Sequence, residues 1–178
     1  MRTRVGYTGG GTPNPSYYNL GNHTEALQID YDPERLSYLQ LLELFWKSHS
    51  PIVPRWSRQY MAALFVASDE QRTLAEESRT RLVSRLRGSI TTEILPAEEF
   101  WLAEDYHQKY WLRGIPELYA EFSGFYPTDR DFVDSTAAAR VNGYLGKNGE
   151  LPENPADWEV LGLSSAGRAL LTRLRLRR

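Results

Sequence analysis

Three side chains in the first 60 residues are of types that could together hold and protonate an oxygen atom. They are Tyr17, Glu25 and Tyr60. A carboxyl group that is partly buried among aromatic rings has a raised pKa, so it can donate a proton near neutral pH. Two phenol hydroxyls could bind the same oxygen. All three residues lie on or beside predicted loops and strand ends, where functional sites usually form.

The same three residues also have an ordinary structural interpretation. Tyr17 and Tyr60 could be core aromatics whose hydroxyls bond to backbone groups, and Glu25 could be an exposed carboxylate at the start of a strand. Residue type and spacing alone favour this second interpretation, so further observations are needed to decide between the two.

Other candidate groups indicate a site less clearly. His23 precedes Glu25 by two residues, but one His-x-Glu pair without further ligands is a weak metal motif. We therefore interpret His23, His49 and His107 as structural histidines and predict no metal or cofactor. The glycines at 9–11 lack the Gly-Lys-Ser/Thr ending of a phosphate-binding loop.

Composition sets limits on the class of protein. The 178 residues are 41% hydrophobic and 25% charged, which is enough for one compact domain with a core. Lys and Arg number 21 against 23 acidic residues, so charge gives no reason to expect binding to nucleic acid or to a membrane. We expect a cytoplasmic protein, because neither a membrane span nor the apolar core of a secretion signal is visible. We also expect a monomer. With no cysteine in the chain, a disulfide, a thiolate nucleophile and a Cys-ligated metal are excluded.

Strands and helices are predicted to alternate around these residues. The stretch 25–31 alternates apolar and polar residues, as a half-buried strand does. Ser37 is a predicted helix N-cap, and Ser68 with Gln71 resembles a capping box. The predicted strands are 4–7, 25–31, 61–66 and 90–95, and the predicted helical segments are 37–49, 68–86, 97–111, 137–145 and 158–176. This order indicates a sheet with helices packed on it.

The last part of the chain has a different character. Residues 126–178 are predicted to form a helical appendage that ends in several arginines among leucines. A basic amphipathic helix could contact a partner or a membrane surface. Cations near a helix C-terminus also complement the helix dipole, so we favour a solvated face. The arginines concerned are Arg168, Arg173, Arg175, Arg177 and Arg178.

Seven sequence blocks resemble peptide methionine sulfoxide reductase A in their order and approximate spacing. They cover about residues 4 to 113 and read VGYTGG, NPSYYNLGNHTE, IDYDP, LSYLQLLELFWKSH, WSRQYM, TTEI and AEDYHQKY. The resemblance implies an α+β fold, a ferredoxin-like two-layer sandwich with a mixed sheet, over residues 1–125, followed by a helical C-terminal extension at 126–178. It also implies a protein-repair enzyme of oxidative stress that reduces the S-epimer of methionine sulfoxide in proteins, with thioredoxin as reductant.

The resemblance also assigns roles to the three oxygen-binding candidates. Glu25, in the NHTE block, falls on the acid of the family, and Tyr17 and Tyr60 fall on the tyrosines that bind the sulfoxide oxygen. In the family a thiolate attacks the sulfoxide sulfur and becomes a sulfenic acid. That cysteine lies in a Gly-Cys-Phe-Trp motif upstream of VGYTGG, and the present chain has no cysteine. An aspartate usual before Arg-Gln-Tyr is also not visible in the shortened loop IVPRWSRQY.

Three interpretations of the missing thiol remain open. We favour a shortened form of an active reductase, because a strand removed from the middle of a sheet leaves unpaired backbone groups. The chain could instead be a pseudoenzyme that binds oxidised methionine segments or a protein partner. It could also be an interaction module that uses its arginine-rich tail.

Overall fold

The chain has an α+β fold, as predicted. The structure, a computed structural model, describes residues 1–53, 56–86 and 88–176. Its strands are β1 (Arg2–Thr8), β2 (Thr24–Asp30), β3 (Ala63–Val66), β4 (Glu93–Pro96) and β5 (Trp101–Leu102). Its helices are α1 (Tyr38–Lys47), α2 (Asp69–Val83), α3 (Tyr110–Arg113), α4 (Pro116–Phe125), α5 (Asp129–Asp134), α6 (Thr136–Leu145), α7 (Pro155–Glu159) and α8 (Ser165–Leu176), with a 3-10 helix at Asp105–His107.

The strands include both antiparallel and parallel pairs. One sheet has the order β2-β1-β5, and β1 pairs antiparallel with β5 so that Gly6 lies opposite Leu102. A Cβ atom at Gly6 would lie 2.2 Å from the carbonyl oxygen of Trp101, so this close pairing requires glycine. In the other sheet β3 and β4 are parallel, with Ala63 opposite Glu93.

The one or two helical segments predicted at 97–111 are confirmed only in the second half of that range. This stretch contains β5, the 3-10 helix Asp105–His107 and the start of α3. Its aromatic residues follow no clear helical period, and β5 forms only because it pairs with β1, which lies far away in the sequence. Local patterns do not reveal such a pairing.

The chain divides into two compact units. The helical unit comprises Met1–Val5, Leu27–Asp30 and Ala103–Arg178, and the mixed unit comprises Gly6–Ala26 and Tyr31–Leu102. Strands β1 and β2 therefore contribute residues to each unit.

In the mixed unit the predicted helix starts are confirmed. Ser37 caps α1 in a capping box with Gln40, and the Ser68 side chain accepts a hydrogen bond from the Gln71 backbone at the start of α2. The Gln71 side chain accepts from the backbone N–H of Ala67, one residue before the cap, at 2.9 Å. Both helices pack on the β3–β4 sheet, where Leu42, Val66 and Ala75 are buried.

The helical unit has its own hydrophobic core. Buried residues of α4 and of the later helices form one cluster, which includes Leu118, Phe122, Val141 and Leu171. The boundary that we predict after residue 125 coincides with the end of α4, and the helices on its two sides share this core. The division into a 1–125 domain and a 126–178 extension stays a prediction. No helix in the described part of the chain is both long and apolar enough to cross a membrane.

The C-terminal arginines are partly engaged within the chain rather than simply solvated. Arg168 donates from Nε to the Leu163 carbonyl at 3.0 Å, and Arg175 donates to the Gly149 carbonyl at 2.9 Å. Arg173 is exposed. Arg177 and Arg178 lie outside the described residues.

A partly buried ion network organises the charged part of the helical unit. Arg4 donates to Asp134 at 2.9 Å, to Asp30 at 2.5 Å and to Gln28 at 2.6 Å. Lys109 is only 5% exposed, and its ammonium group donates to the carbonyl and hydroxyl oxygens of Thr3. Burial lowers the pKa of Lys109 from 10.5 to about 8, while Asp134 opposes that change and Arg4 adds to it.

The buried Lys109 makes the stability of the folded chain depend on pH. An unfolded lysine keeps a pKa near 10.5, so between about pH 8 and 10.5 the unfolded chain holds more of this proton than the folded chain. Stability must then rise with pH across that window. We compare the unfolding free energy of the parent chain with that of Lys109→Met at each pH. The difference, parent minus variant, should rise by up to about 3 kcal/mol between about pH 8 and 10.5.

Urea unfolding followed by circular dichroism at a series of pH values measures this difference. Lys47→Met is the matched control, because the Lys47 side chain is 75% exposed and its difference from the parent should stay flat. A flat Lys109→Met difference would show that the buried ammonium group is not destabilised in the folded chain.

Candidate functional site

One arginine joins the loops that carry the predicted site residues. Within the mixed unit, Arg58 donates from Nε to the carbonyl oxygen of Asn22 at 2.8 Å and from Nη2 to that of Gly9 at 2.6 Å. The glycine loop, the NHTE block and the WSRQY block are therefore held by the same guanidinium group. Hydrogen bonds from a charged donor are stronger than neutral ones.

The glycine loop is further fixed by side chains of the NHTE block. The Asn22 side-chain oxygen accepts from the Gly11 backbone N–H at 2.9 Å. His23 is 1% exposed, and its Nε2 lies 2.8 Å from the Thr12 carbonyl oxygen. Because a carbonyl only accepts, His23 donates from Nε2. The close approach of the two segments leaves little space, since a Cβ atom at Gly10 would lie 2.7 Å from the Asn22 Oδ1 and from the His23 backbone nitrogen.

The first residues of β2 are tied to the WSRQY block. The Thr24 hydroxyl donates to the Arg58 carbonyl at 3.0 Å, and the Glu25 backbone N–H donates to the Gln59 carbonyl at 3.0 Å. These bonds fix the position of Glu25 relative to Gln59 and Tyr60, which lie 34 and 35 positions later in the sequence.

Tyr17 is held by a tight turn. Ser16 and Asn19 exchange backbone hydrogen bonds of 3.2 and 3.0 Å, and the Ser16 hydroxyl accepts from the Asn19 N–H at 3.2 Å. The turn places Tyr17 and Tyr18 at its tip, with their rings edge to face at 5.4 Å.

The structure brings the three predicted oxygen-binding residues together. Gln59 donates from Nε2 to the Glu25 carboxylate at 2.8 Å and to the Tyr60 hydroxyl at 3.0 Å. The side chains of Tyr17 and Tyr60 hydrogen-bond to each other. Two phenols and a carboxylate therefore form one connected polar cluster, as a site for a single oxygen requires.

The exposure of this cluster differs in part from the prediction. Tyr17 is 39% and Tyr60 41% exposed, so they are not core aromatics. Glu25 is exposed near the start of β2, as in its ordinary structural interpretation, and is not partly buried among aromatic rings. The pKa of Tyr60 is raised, first because its hydroxyl is shielded from water and then because of the nearby Glu25 carboxylate and Tyr17.

Several residues of the site were not singled out by sequence reasoning. Gln59 links Glu25 to Tyr60, Arg58 holds two backbone carbonyls, and Asn22 holds the glycine loop. All three lie inside the NHTE and WSRQY blocks. Their types were visible, but their partners are far away in the sequence, so no local pattern indicated them.

The histidines contact protein groups. His49 bonds the Phe45 carbonyl at 2.9 Å and the Thr92 hydroxyl at 3.0 Å. His107 lies 3.9 Å from the Glu104 carboxylate. Over residues 1–53, 56–86 and 88–176, no group of three or more His, Asp or Glu residues could hold a metal ion.

The family model and the related sequences that match this chain all belong to one family. Residues 1–139 match the family model described as peptide methionine sulfoxide reductase. A peptide methionine sulfoxide reductase of Drosophila melanogaster is 37% identical over 170 residues, which cover 94% of this chain and 68% of that protein. Another, from Pseudomonas fluorescens, is 44% identical over 128 residues, covering 67% of this chain and 60% of that protein.

A solved structure supports the same fold. Methionine sulfoxide reductase A of Corynebacterium diphtheriae superposes with a TM-score of 0.53 at 33% identity. The superposition covers 64% of this chain and 63% of that chain. The fold is therefore of the methionine sulfoxide reductase A type.

Two adjacent glycines of the loop differ in how closely they are packed, so the same substitution should affect them differently. Gly10→Ala forces the new methyl group against Asn22 and His23, so we expect a loss of about 1–3 kcal/mol in unfolding free energy. Gly11→Ala should stay within about 0.5 kcal/mol of the parent, because no atom lies within 4 Å of its added Cβ. Urea unfolding measures both. Equal effects would mean that the loop is not packed against the NHTE block.

The linkage of Tyr60 to Glu25 gives a prediction about titration. Glu25→Gln removes a negative charge that raises the pKa of Tyr60, so that pKa should move towards its ordinary value of 10.0. NMR of chains carrying 13Cζ-labelled tyrosine measures it, with Tyr60→Phe assigning the signal. Glu43→Gln is the control for an exposed carboxylate elsewhere. An unchanged Tyr60 titration in Glu25→Gln would mean that the two groups do not interact.

Proposed function

Because the chain belongs to the peptide methionine sulfoxide reductase family, we propose that it binds methionine-(S)-sulfoxide in proteins and peptides. Tyr17, Glu25 and Tyr60 bind the sulfoxide oxygen. The observation that carries this proposal is the hydrogen-bonded cluster in which Gln59 joins Glu25 to Tyr60 and Tyr17 bonds to Tyr60.

The chemistry of a sulfoxide fits this cluster. Its oxygen carries a partial negative charge and accepts hydrogen bonds, and the tyrosine hydroxyls can donate them. Glu25, once protonated, is the proposed acid that gives its proton to the oxygen as the S–O bond breaks. Gln59 keeps the carboxyl and the Tyr60 hydroxyl on the same side of the bound oxygen.

Reduction needs a thiolate as well. In the proposed reaction a cysteine thiolate attacks the sulfoxide sulfur, the sulfide leaves as methionine, and the oxygen ends with a proton on the cysteine as sulfenic acid. A second thiol and then thioredoxin return that cysteine to the thiol. The present 178 residues contain no cysteine, so this thiolate must come from outside them. The chain spans 68% and 60% of the two relatives described above.

A second function also fits a chain without a thiol. Binding of oxidised methionine segments without reduction would use the same three residues. The two functions share the binding step and differ only in turnover.

Calorimetric titration with N-acetyl-methionine-(S)-sulfoxide methylamide tests the shared binding step. We expect saturable binding, with the R-epimer and unoxidised methionine as weaker ligands. Tyr17→Phe and Tyr60→Phe should each weaken binding about three- to tenfold, because each loses one hydrogen bond to the oxygen. Glu25→Ala should weaken it at least as much, while Glu43→Ala, which changes an exposed carboxylate of α1, should leave it unchanged. Equal affinity for sulfoxide and thioether would overturn the assignment.

Turnover tests whether the reducing thiolate must come from outside this chain. With dithiothreitol or thioredoxin as reductant, we expect the 178-residue chain to form methionine no faster than the buffer does. Chromatography of the product measures this rate. Turnover above that background would show that reduction proceeds without a cysteine of this chain.

A further inference from the structure

Two nearly bare aromatic rings flank the proposed oxygen site. Trp56 is 86% exposed and Tyr18 is 90% exposed. The Trp56 ring lies 5.9 Å from the Tyr60 ring, and the Tyr18 ring lies 5.4 Å from the Tyr17 ring. Since Tyr17 and Tyr60 bond to each other, the four rings form a continuous strip, which we call the aromatic strip.

The inner and outer members of the strip differ in what they contact. The inner rings, Tyr17 and Tyr60, belong to the hydrogen-bonded cluster with Glu25 and Gln59. The outer rings touch the inner ones and otherwise face solvent. A large aromatic side chain buries roughly 150–250 Å² when a partner covers it. Two exposed rings, each in contact with an inner ring beside a polar cluster, form a patch of the kind that is typical of interaction sites.

Hydrogen bonds fix the backbone beside the outer rings. Tyr18 sits on the Ser16–Asn19 turn, which is closed by two backbone hydrogen bonds. Trp56 lies two residues before Arg58, which the Asn22 and Gly9 carbonyls hold in place. Rigid aromatic side chains supply contact area with little loss of conformational entropy on binding.

We propose that Trp56 and Tyr18 are specificity-determining residues that bind uncharged apolar or aromatic side chains next to the methionine sulfoxide of a peptide substrate. The proposal rests on the proposed function, because it takes the polar cluster as the site of the sulfoxide. The strip continues from Tyr60 to Trp56 and from Tyr17 to Tyr18, so a peptide that places its sulfoxide at the cluster can reach an outer ring with a neighbouring side chain.

The charged groups near the strip are already hydrogen-bonded within the chain. The Glu25 carboxylate accepts from Gln59, and Arg58 donates to the backbone carbonyls of Asn22 and Gly9. An apolar side chain on an exposed indole needs no charged partner, and its burial is favourable by roughly 25 cal/mol per Å². A lysine could also lie on the Trp56 ring as a cation, and the test below separates that case.

Four ligands test the proposal by calorimetric titration of the 178-residue chain. They are the small capped (S)-sulfoxide used above and three capped pentapeptides, Ser-X-Met(O)-X-Ser, in which X is Phe, Ser or Lys. We expect the parent chain to bind the Phe peptide at least tenfold more tightly than the Ser peptide. Trp56→Ala and Tyr18→Ala should each reduce this preference at least threefold, and both should bind the small sulfoxide as the parent does.

Tyr110→Ala is the matched control. Tyr110 is 64% exposed and lies edge to face with Trp111 at 5.7 Å, so it resembles the outer rings in exposure and ring contact. It is not part of the aromatic strip, and its substitution should leave the preference for the Phe peptide unchanged. Because Trp56 and Tyr18 are exposed, their alanine variants should unfold within about 0.5 kcal/mol of the parent, which urea unfolding checks.

The outcomes separate this inference from the proposed function. Equal affinity for the Phe and Ser peptides, with the small sulfoxide still bound, overturns the inference and leaves the proposed function standing. A preference for the Lys peptide overturns it in favour of a cation-binding surface. Loss of the small sulfoxide in Trp56→Ala overturns the flanking role, since Trp56 would then bind the sulfoxide itself. Failure of the parent chain to bind any of the four ligands overturns both proposals.

Discussion

The bonds from Arg58 to the Gly9 and Asn22 carbonyls are the interaction on which the rest of the site depends. Loops without regular structure leave backbone groups unpaired, and those groups need partners. One guanidinium group supplies partners to two loops at once, in a planar geometry that a lysine could not reproduce. The backbone of the adjacent residue, Gln59, is thereby positioned so that its side-chain amide donates to both Glu25 and Tyr60.

The bonds between Thr24, Glu25 and the WSRQY block extend this constraint into the sheet. β2 begins at Thr24, whose side chain is buried and donates to the Arg58 carbonyl. Glu25 therefore has a backbone fixed by the sheet on one side and by the Gln59 carbonyl on the other. A carboxylate on a regular strand is positioned more rigidly than one on a loop alone, although its side chain is exposed.

Local chemistry made part of this architecture predictable. Ser37 and Ser68 were recognisable as helix caps because a cap needs only a short polar side chain just before a segment of helical spacing. Strand β5 was not recognisable, because its two residues pair with Gly6 and Tyr7 of β1, which lie more than 90 positions earlier in the sequence. The same distinction holds at the site. Tyr17, Glu25 and Tyr60 could be identified as candidates from their blocks, whereas the bridging role of Gln59 depends on a contact over 34 positions.

The openness of the polar cluster agrees with one of the two interpretations that the sequence left open for Glu25, an exposed carboxylate at the start of a strand. Tyr17 and Tyr60 stay about two-fifths exposed and the outer rings almost wholly so. Hydrogen bonds in such a setting compete with water and contribute little. A ligand that covers the aromatic strip would remove that water and strengthen every polar contact beneath it. Under the proposed function, the shielding of the site would then come from the bound peptide rather than from the core of the free chain.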